Sequence, residues 1–103
     1  MTIKNTKLWE ALYALATSEG DVRKRVALAC SILDKMQNDE LPKALMDRLQ
    51  KVKDEAGKDG PLRNADGEII RNRYENTIAK RYNKTYSKLA KEILSVYEDF
   101  NNS

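Results

Sequence analysis

Apolar residues recur along most of this chain at the three- and four-residue spacing of one helix face, a pattern that predicts helices nearly throughout. The longest stretch runs over 67–100. Advancing about 100° per residue, Tyr74, Ile78, Tyr82, Thr85, Leu89, Ile93, Val96 and Phe100 stay within about 120° of one another, with Tyr86 and Tyr97 at one margin. A break at Asn83 would restart the stripe, and because the phase never resets, the stretch reads as one helix of about 33 residues, roughly 50 Å long, with a break near Asn83 as the open alternative. Beside its apolar face, Arg73, Lys80, Arg81, Lys84, Lys88 and Lys91 fall in a separate arc of about 100°.

Shorter helices precede it over 6–17, 22–37 and 40–56. Thr6 or Asn5 suits the first N-cap, with Leu8, Trp9, Leu12, Leu15 and Ala16 on the inner side and Trp9 expected as a core or near-core anchor, a partner-binding Trp being the alternative. Gly20 ends that helix and Asp21 caps the second. The second carries Val22, Val26, Leu28, Ala29, Cys30, Ile32, Leu33 and Met36 around more than half of its circumference, which marks it as the central helix. Asp39 caps the third, whose first turn tolerates Pro42 and whose stripe is Leu41, Leu45, Leu49 and Val52. Gly57 stops it, and 57–66 forms a loop carrying the turn signal Asn64-Ala65-Asp66-Gly67. Leu62, Ile69 and Ile70 are expected to pin that loop to the core rather than to form a short hairpin. The expected fold is all-α: a single four-helix domain over 1–103, with the shorter helices packed along the long C-terminal one and no significant sheet.

Composition agrees with that picture, since 41% apolar and 34% charged residues with only four Gly and two Pro favour helical globular structure. A compact domain of this size has a radius of gyration near ~13 Å. A straight helix of roughly 50 Å overshoots such a body, so one end must project, bend or be covered. The residues past Leu89 are the expected uncovered set, which makes Ile93, Leu94, Val96, Tyr97 and Phe100 candidates for a protein interface.

Charge adds a competing possibility. The net charge is +3, but it is unevenly spread: +2 over 1–38, −1 over 39–60, +5 over 61–91 and −3 over 92–103. The six cations on the long helix, Arg73, Lys80, Arg81, Lys84, Lys88 and Lys91, are candidate polyanion contacts. Tyr74 and Tyr82 share the apolar phase instead of interleaving with them, which argues against a base-stacking surface. Charge also predicts a structural pair. Arg23, Lys24 and Arg25 oppose the dipole of the second helix at its start. Arg25 falls at the edge of that helix's apolar arc, and Glu75 falls within the apolar arc of the long helix. The two are expected to pair, with Glu10 as reserve acceptor.

The chain has no His, and its single Cys30 lies in the apolar set of the second helix, so neither an intrachain disulfide nor a usual zinc set can form. Asp59, Asn64, Asp66 and Glu68 suggest calcium, but aligning Gly67 to the glycine of an EF-hand places Leu62 first and Arg73 last, where carboxylates belong. A helix-turn-helix is matched by Ala16, Gly20 and Val26 and opposed by Glu19 and Asp21 at apolar positions. No nucleophile elbow, phosphate-binding glycine loop or paired carboxylates on an apolar background appear, and Asp39-Glu40 and Asp54-Glu55 sit at helix ends. The expectation is therefore no enzyme, no catalytic residues, no metal, no cofactor and no small-molecule substrate. Lacking a stretch long enough to span a bilayer, the chain is expected to be cytoplasmic and to use no membrane. The function it favours is a non-catalytic protein–protein interaction module, self-associating or docking on a larger protein. The alternative is a small basic nucleic-acid-associated protein using the cationic arc.

Overall fold

The computed structural model describes residues 6–37, 40–79 and 83–102. Their elements in order are α1 (Thr6–Thr17), α2 (Val22–Leu33), α3 (Lys43–Ala56), β1 (Leu62–Arg63), β2 (Ile69–Arg71), α4 (Arg73–Ile78) and α5 (Asn83–Asn101). The protein is mostly helical, as expected. The helix count and the absence of sheet are both corrected, because the described residues hold five helices and a two-stranded antiparallel ribbon.

The larger correction concerns 67–100, which is not one helix. Gly67 sits at φ +83° and closes the hairpin turn, and Ile69–Arg71 are strand. Asn72 is extended at φ −67° and ψ 170°, and it opens α4 with a reciprocal capping box. Its side chain accepts from Glu75 N (2.9 Å), while Glu75 Oε1 accepts from Asn72 N (3.2 Å). The helix ends at Ile78 with Ala79 as its C-cap, and α5 begins at Asn83. Lys80, Arg81 and Tyr82 lie outside the described residues.

Other boundaries moved by a turn or less. Asp21 caps α2 by accepting from Arg23 N (3.0 Å) and Lys24 N (3.3 Å). The Arg23 guanidinium also holds the Asp21 carboxyl below the usual carboxylate range. α2 stops at Leu33 instead of 37, because Lys35 N and Met36 N bond three residues back, to Ile32 O and Leu33 O, and tighten the chain into a turn. α3 starts at Lys43 with Pro42 as its N-cap, and Asp39, the expected cap, lies outside the described residues.

α2 is the hub, in contact with α1, α3, α4 and α5. Around it Leu8, Val26, Cys30, Leu33, Leu49, Val52, Tyr74, Tyr86, Ile93 and Val96 close one core. Arg48 on α3 fastens α5 by donating Nε to Glu92 Oε1 (2.8 Å), Nη1 to Asp99 Oδ2 and Nη2 to Ser95 Oγ (2.9 Å). Those acceptors are spaced i, i+3 and i+7, so a single guanidinium spans two turns of one face.

A second polar knot joins α2, α3 and α4. Tyr74 is buried, and its hydroxyl donates to Asp34 Oδ1 (2.8 Å) while accepting from Arg73 Nη2 (2.7 Å). Lys53 Nζ also reaches Asp34 Oδ1, at 3.4 Å. Burial, then the hydrogen bond to Asp34, pushes the Tyr74 phenol above its ordinary range. The Arg73 side chain crosses Gly57, where a Cβ would stand 2.8 Å from Arg73 Cδ. Buried Asn76 and Thr77 secure the preceding loop, Asn76 Nδ2 donating to Gly60 O (3.0 Å) and Thr77 Oγ1 accepting from Asp59 N (3.0 Å).

The hairpin does not pin the loop to the core. Leu62 pairs with Arg71 and Arg63 with Ile69, and every residue over 61–72 is exposed. Asn64 shapes its tip, with Oδ1 accepting from Asp66 N (2.9 Å) and Glu68 N (3.0 Å).

Candidate interaction surface

The helix crossing of α1 on α2 decides which α1 residues reach solvent. Ala11 and Ala14 of α1 and Ala27 and Ala29 of α2 are all buried, and the two helices pack on each other. Short side chains on both helices let the backbones approach closely, and that leaves no room for an indole between them. Trp9 is therefore turned outward. It is 45% exposed, and Tyr13, one turn on, is 59% exposed. Of the two expected placements, core or near-core, Trp9 takes the second. Its ring packs against Tyr13 (centroids 6.3 Å apart, planes at 50°) and Tyr97 of α5 (6.3 Å, 40°).

Leu94 extends this aromatic strip along α5 and is 46% exposed. At about 100° per residue it lies about 60° from Tyr97, on the side away from the core. The other interface candidates are placed differently. Ile93 and Val96 are fully buried, covered by the chain's own helices, and Tyr97 and Phe100 are half-buried against the core. The far end of the C-terminal region is thus not a bare apolar face, because α1, α2 and α3 already cover most of it. Trp9 and Tyr13 are surface residues of which the sequence offered only Trp9, as an alternative. The signal for them was the alanine content of the first two helices, which favours a close crossing.

The cationic arc is also reduced. Arg73 stacks on the Tyr74 ring (4.7 Å from the guanidinium carbon to the centroid) and joins the Asp34 knot, so it is not a free phosphate contact. Lys80 and Arg81 lie outside the described residues. Lys84, Lys88 and Lys91 remain, all exposed and without an ion pair to any described residue.

The expected Arg25–Glu75 pair does not form. Glu75 is exposed and committed to the α4 capping box, while Arg25 Nη1 donates to Leu15 O at 3.0 Å. Glu10, the reserve acceptor, pairs with Lys7 at 3.2 Å. A backbone carbonyl at the end of α1 is nearer to Arg25 than either carboxylate, and it suits a cation because carbonyls there are unpaired and carry the negative end of the helix dipole.

Two further features offer little chemistry. A cleft of about 400 Å³ between α2 and α4 is lined by Lys24, Ala27, Leu28, Ser31, Asn72, Glu75 and Ile78. Three of its polar side chains are engaged locally, Asn72 and Glu75 with each other and Ser31 Oγ with Ala27 O (3.0 Å), while Lys24 is exposed at its edge. Cys30 is buried, and desolvation, reinforced by the Asp34 carboxylate, pushes its thiol up to about 12. Among the described residues no group of three acidic or thiol side chains converges on a cation position, and no helix is long and apolar enough to cross a membrane. Comparison with known proteins finds no matching family model, no matching curated protein and no matching solved structure.

Proposed function

We propose that this chain is a non-catalytic protein-interaction module whose contact surface is the strip of Trp9, Tyr13, Leu94 and Tyr97. The observation that carries the reading is the contact of three rings from two helices, with Trp9 and Tyr13 about half exposed over a closed core. Aromatic anchors on rigid elements give large contact area at low ordering cost, which is the composition of interface hot spots. Against the polyanion alternative, only Lys84, Lys88 and Lys91 of the six-cation arc are exposed and without an ion pair among the described residues, and the tyrosine nearest them in α5, Tyr86, is buried.

Trp9 is the chain's single tryptophan, so its fluorescence reports directly on this strip. A protein that docks here shields Trp9 from acrylamide, binds at high salt and is lost on Leu94→Asp while far-UV circular dichroism is unchanged. A partner that binds with Trp9 still fully quenchable sinks the reading. Binding that disappears at high salt and on Lys84→Glu with Lys88→Glu points to the polyanion alternative instead.

A further inference from the structure

α5 has its charges the wrong way round for a lone helix. Lys84, Lys88 and Lys91 occupy its first half with no acidic residue among them, and Glu92, Glu98 and Asp99 occupy its second half with no basic residue. Cations near a helix N-terminus and anions near its C-terminus both oppose the macrodipole. Arg48 neutralises two of the acids, Glu92 and Asp99, on the face that α5 turns toward α3. Nothing in the described chain neutralises the rest: Lys84, Lys88, Lys91 and Glu98 are exposed and have no ion pair.

The unpaired charges border the aromatic strip. At about 100° per residue Leu94, Glu98 and Lys91 fall within an arc of about 60° on the solvent side of Tyr97. Leu94 lies nearly midway between the two charges, with Lys91 three residues before it and Glu98 four residues after. That arrangement is self-complementary. Turned end for end, a second α5 centred on Leu94 brings its own Glu98 opposite Lys91 and its own Lys91 opposite Glu98. A foreign acidic segment suits the lysines but meets Glu98, and a foreign basic segment fails the other way.

Resting on the reading of the strip as a docking surface, we infer that its occupant is a second copy of this chain, packed antiparallel across a two-fold axis at Leu94. The interface is isologous, as closed two-fold contacts require. Leu94, Tyr97, Trp9 and Tyr13 of both copies form its apolar centre, and two reciprocal Lys91–Glu98 pairs form its polar rim. Opposed helix dipoles lie side by side, and each charged half of α5 faces its opposite.

Sedimentation velocity over a concentration series tests this with four chains: wild type, Lys91→Glu, Glu98→Lys and the double exchange. All the altered residues are exposed, and circular dichroism with thermal unfolding verifies that each variant folds. The wild type dimerises. Each single reversal sets two like-charge contacts across the axis and weakens dimerisation by about tenfold. The double exchange restores it to within about threefold of wild type. A dimer that Leu94→Asp breaks, but whose single reversals have no effect or are not rescued, overturns the antiparallel pairing and leaves the docking surface standing. A chain that stays monomeric throughout overturns the second copy as occupant, and the docking surface is then judged by Trp9 shielding alone. A dimer indifferent to Leu94→Asp overturns both.

Discussion

Tyr74 and Trp9 each sit in a cluster of rings and charges, but only one of those clusters is closed. Tyr74 is 1% exposed, its hydroxyl both donates and accepts, and the Arg73 guanidinium covers its ring. Trp9 has two ring neighbours and an open face. The contrast separates two uses of the same residue types. Aromatic area that is fully enclosed, with its polar atoms satisfied, contributes to the stability of this chain. Area left half open contributes little to folding and remains available to another surface.

The sharpest way to break this distinction is to truncate Tyr74. Tyr74→Ala removes a fully enclosed ring and orphans part of the Asp34 knot, so a loss of about 3–5 kcal/mol is expected in urea unfolding. Gly57→Ala probes the same cluster from the other side. The added methyl forces Arg73 off the Tyr74 ring, with an expected loss of about 1–3 kcal/mol by the same measurement.

Alkaline pH loosens the closed cluster without mutation. The Cys30 thiol is held protonated up to about 12, whereas an unfolded thiol ionises near ~8.5. Between those values the unfolded chain binds fewer protons than the folded one, so stability falls as pH rises through that window. The Tyr74 phenol, raised for similar reasons, acts in the same direction. Urea midpoints measured upward from neutral pH should decline, and Cys30→Ala should flatten the first part of the decline. The smallest effect belongs to the open cluster. Trp9→Ala or Tyr13→Ala is expected to cost about 1 kcal/mol in dilute monomer, well below Tyr74→Ala. A Trp9→Ala loss comparable to that of Tyr74→Ala would erase the distinction.

How far these clusters were legible in the sequence varies with the physics behind each. The start of α2 could be read outright, because Gly20 and Asp21 act through their own backbone and neighbouring amides. The break between α4 and α5 was hidden because Tyr74, Ile78, Leu89 and Ile93 all turn toward one core, so an interrupted helix keeps the phase of a continuous one. The start of α4 had its own signal in Asn72 with Glu75 three residues on, a capping box that the long apolar rhythm outweighed. Asn76 and Thr77, which lie outside the apolar stripe of this region, are buried because their partners come from the loop at 59–60. The candidate surface was half visible. Tyr97 follows from the margin of the apolar phase and Leu94 from its place past Leu89, whereas Trp9 and Tyr13 depend on how α1 packs on α2, which no single helix encodes.

The exposed hairpin has a practical consequence. Its strands contribute no side chain to the core, and Asn64 organises its tip through local hydrogen bonds. Lengthening such a segment adds little closure entropy and disturbs no packing. An epitope or fluorophore spliced between Ala65 and Asp66 would ride on the molecule as a reporter, attached without touching either of the clusters it is meant to observe.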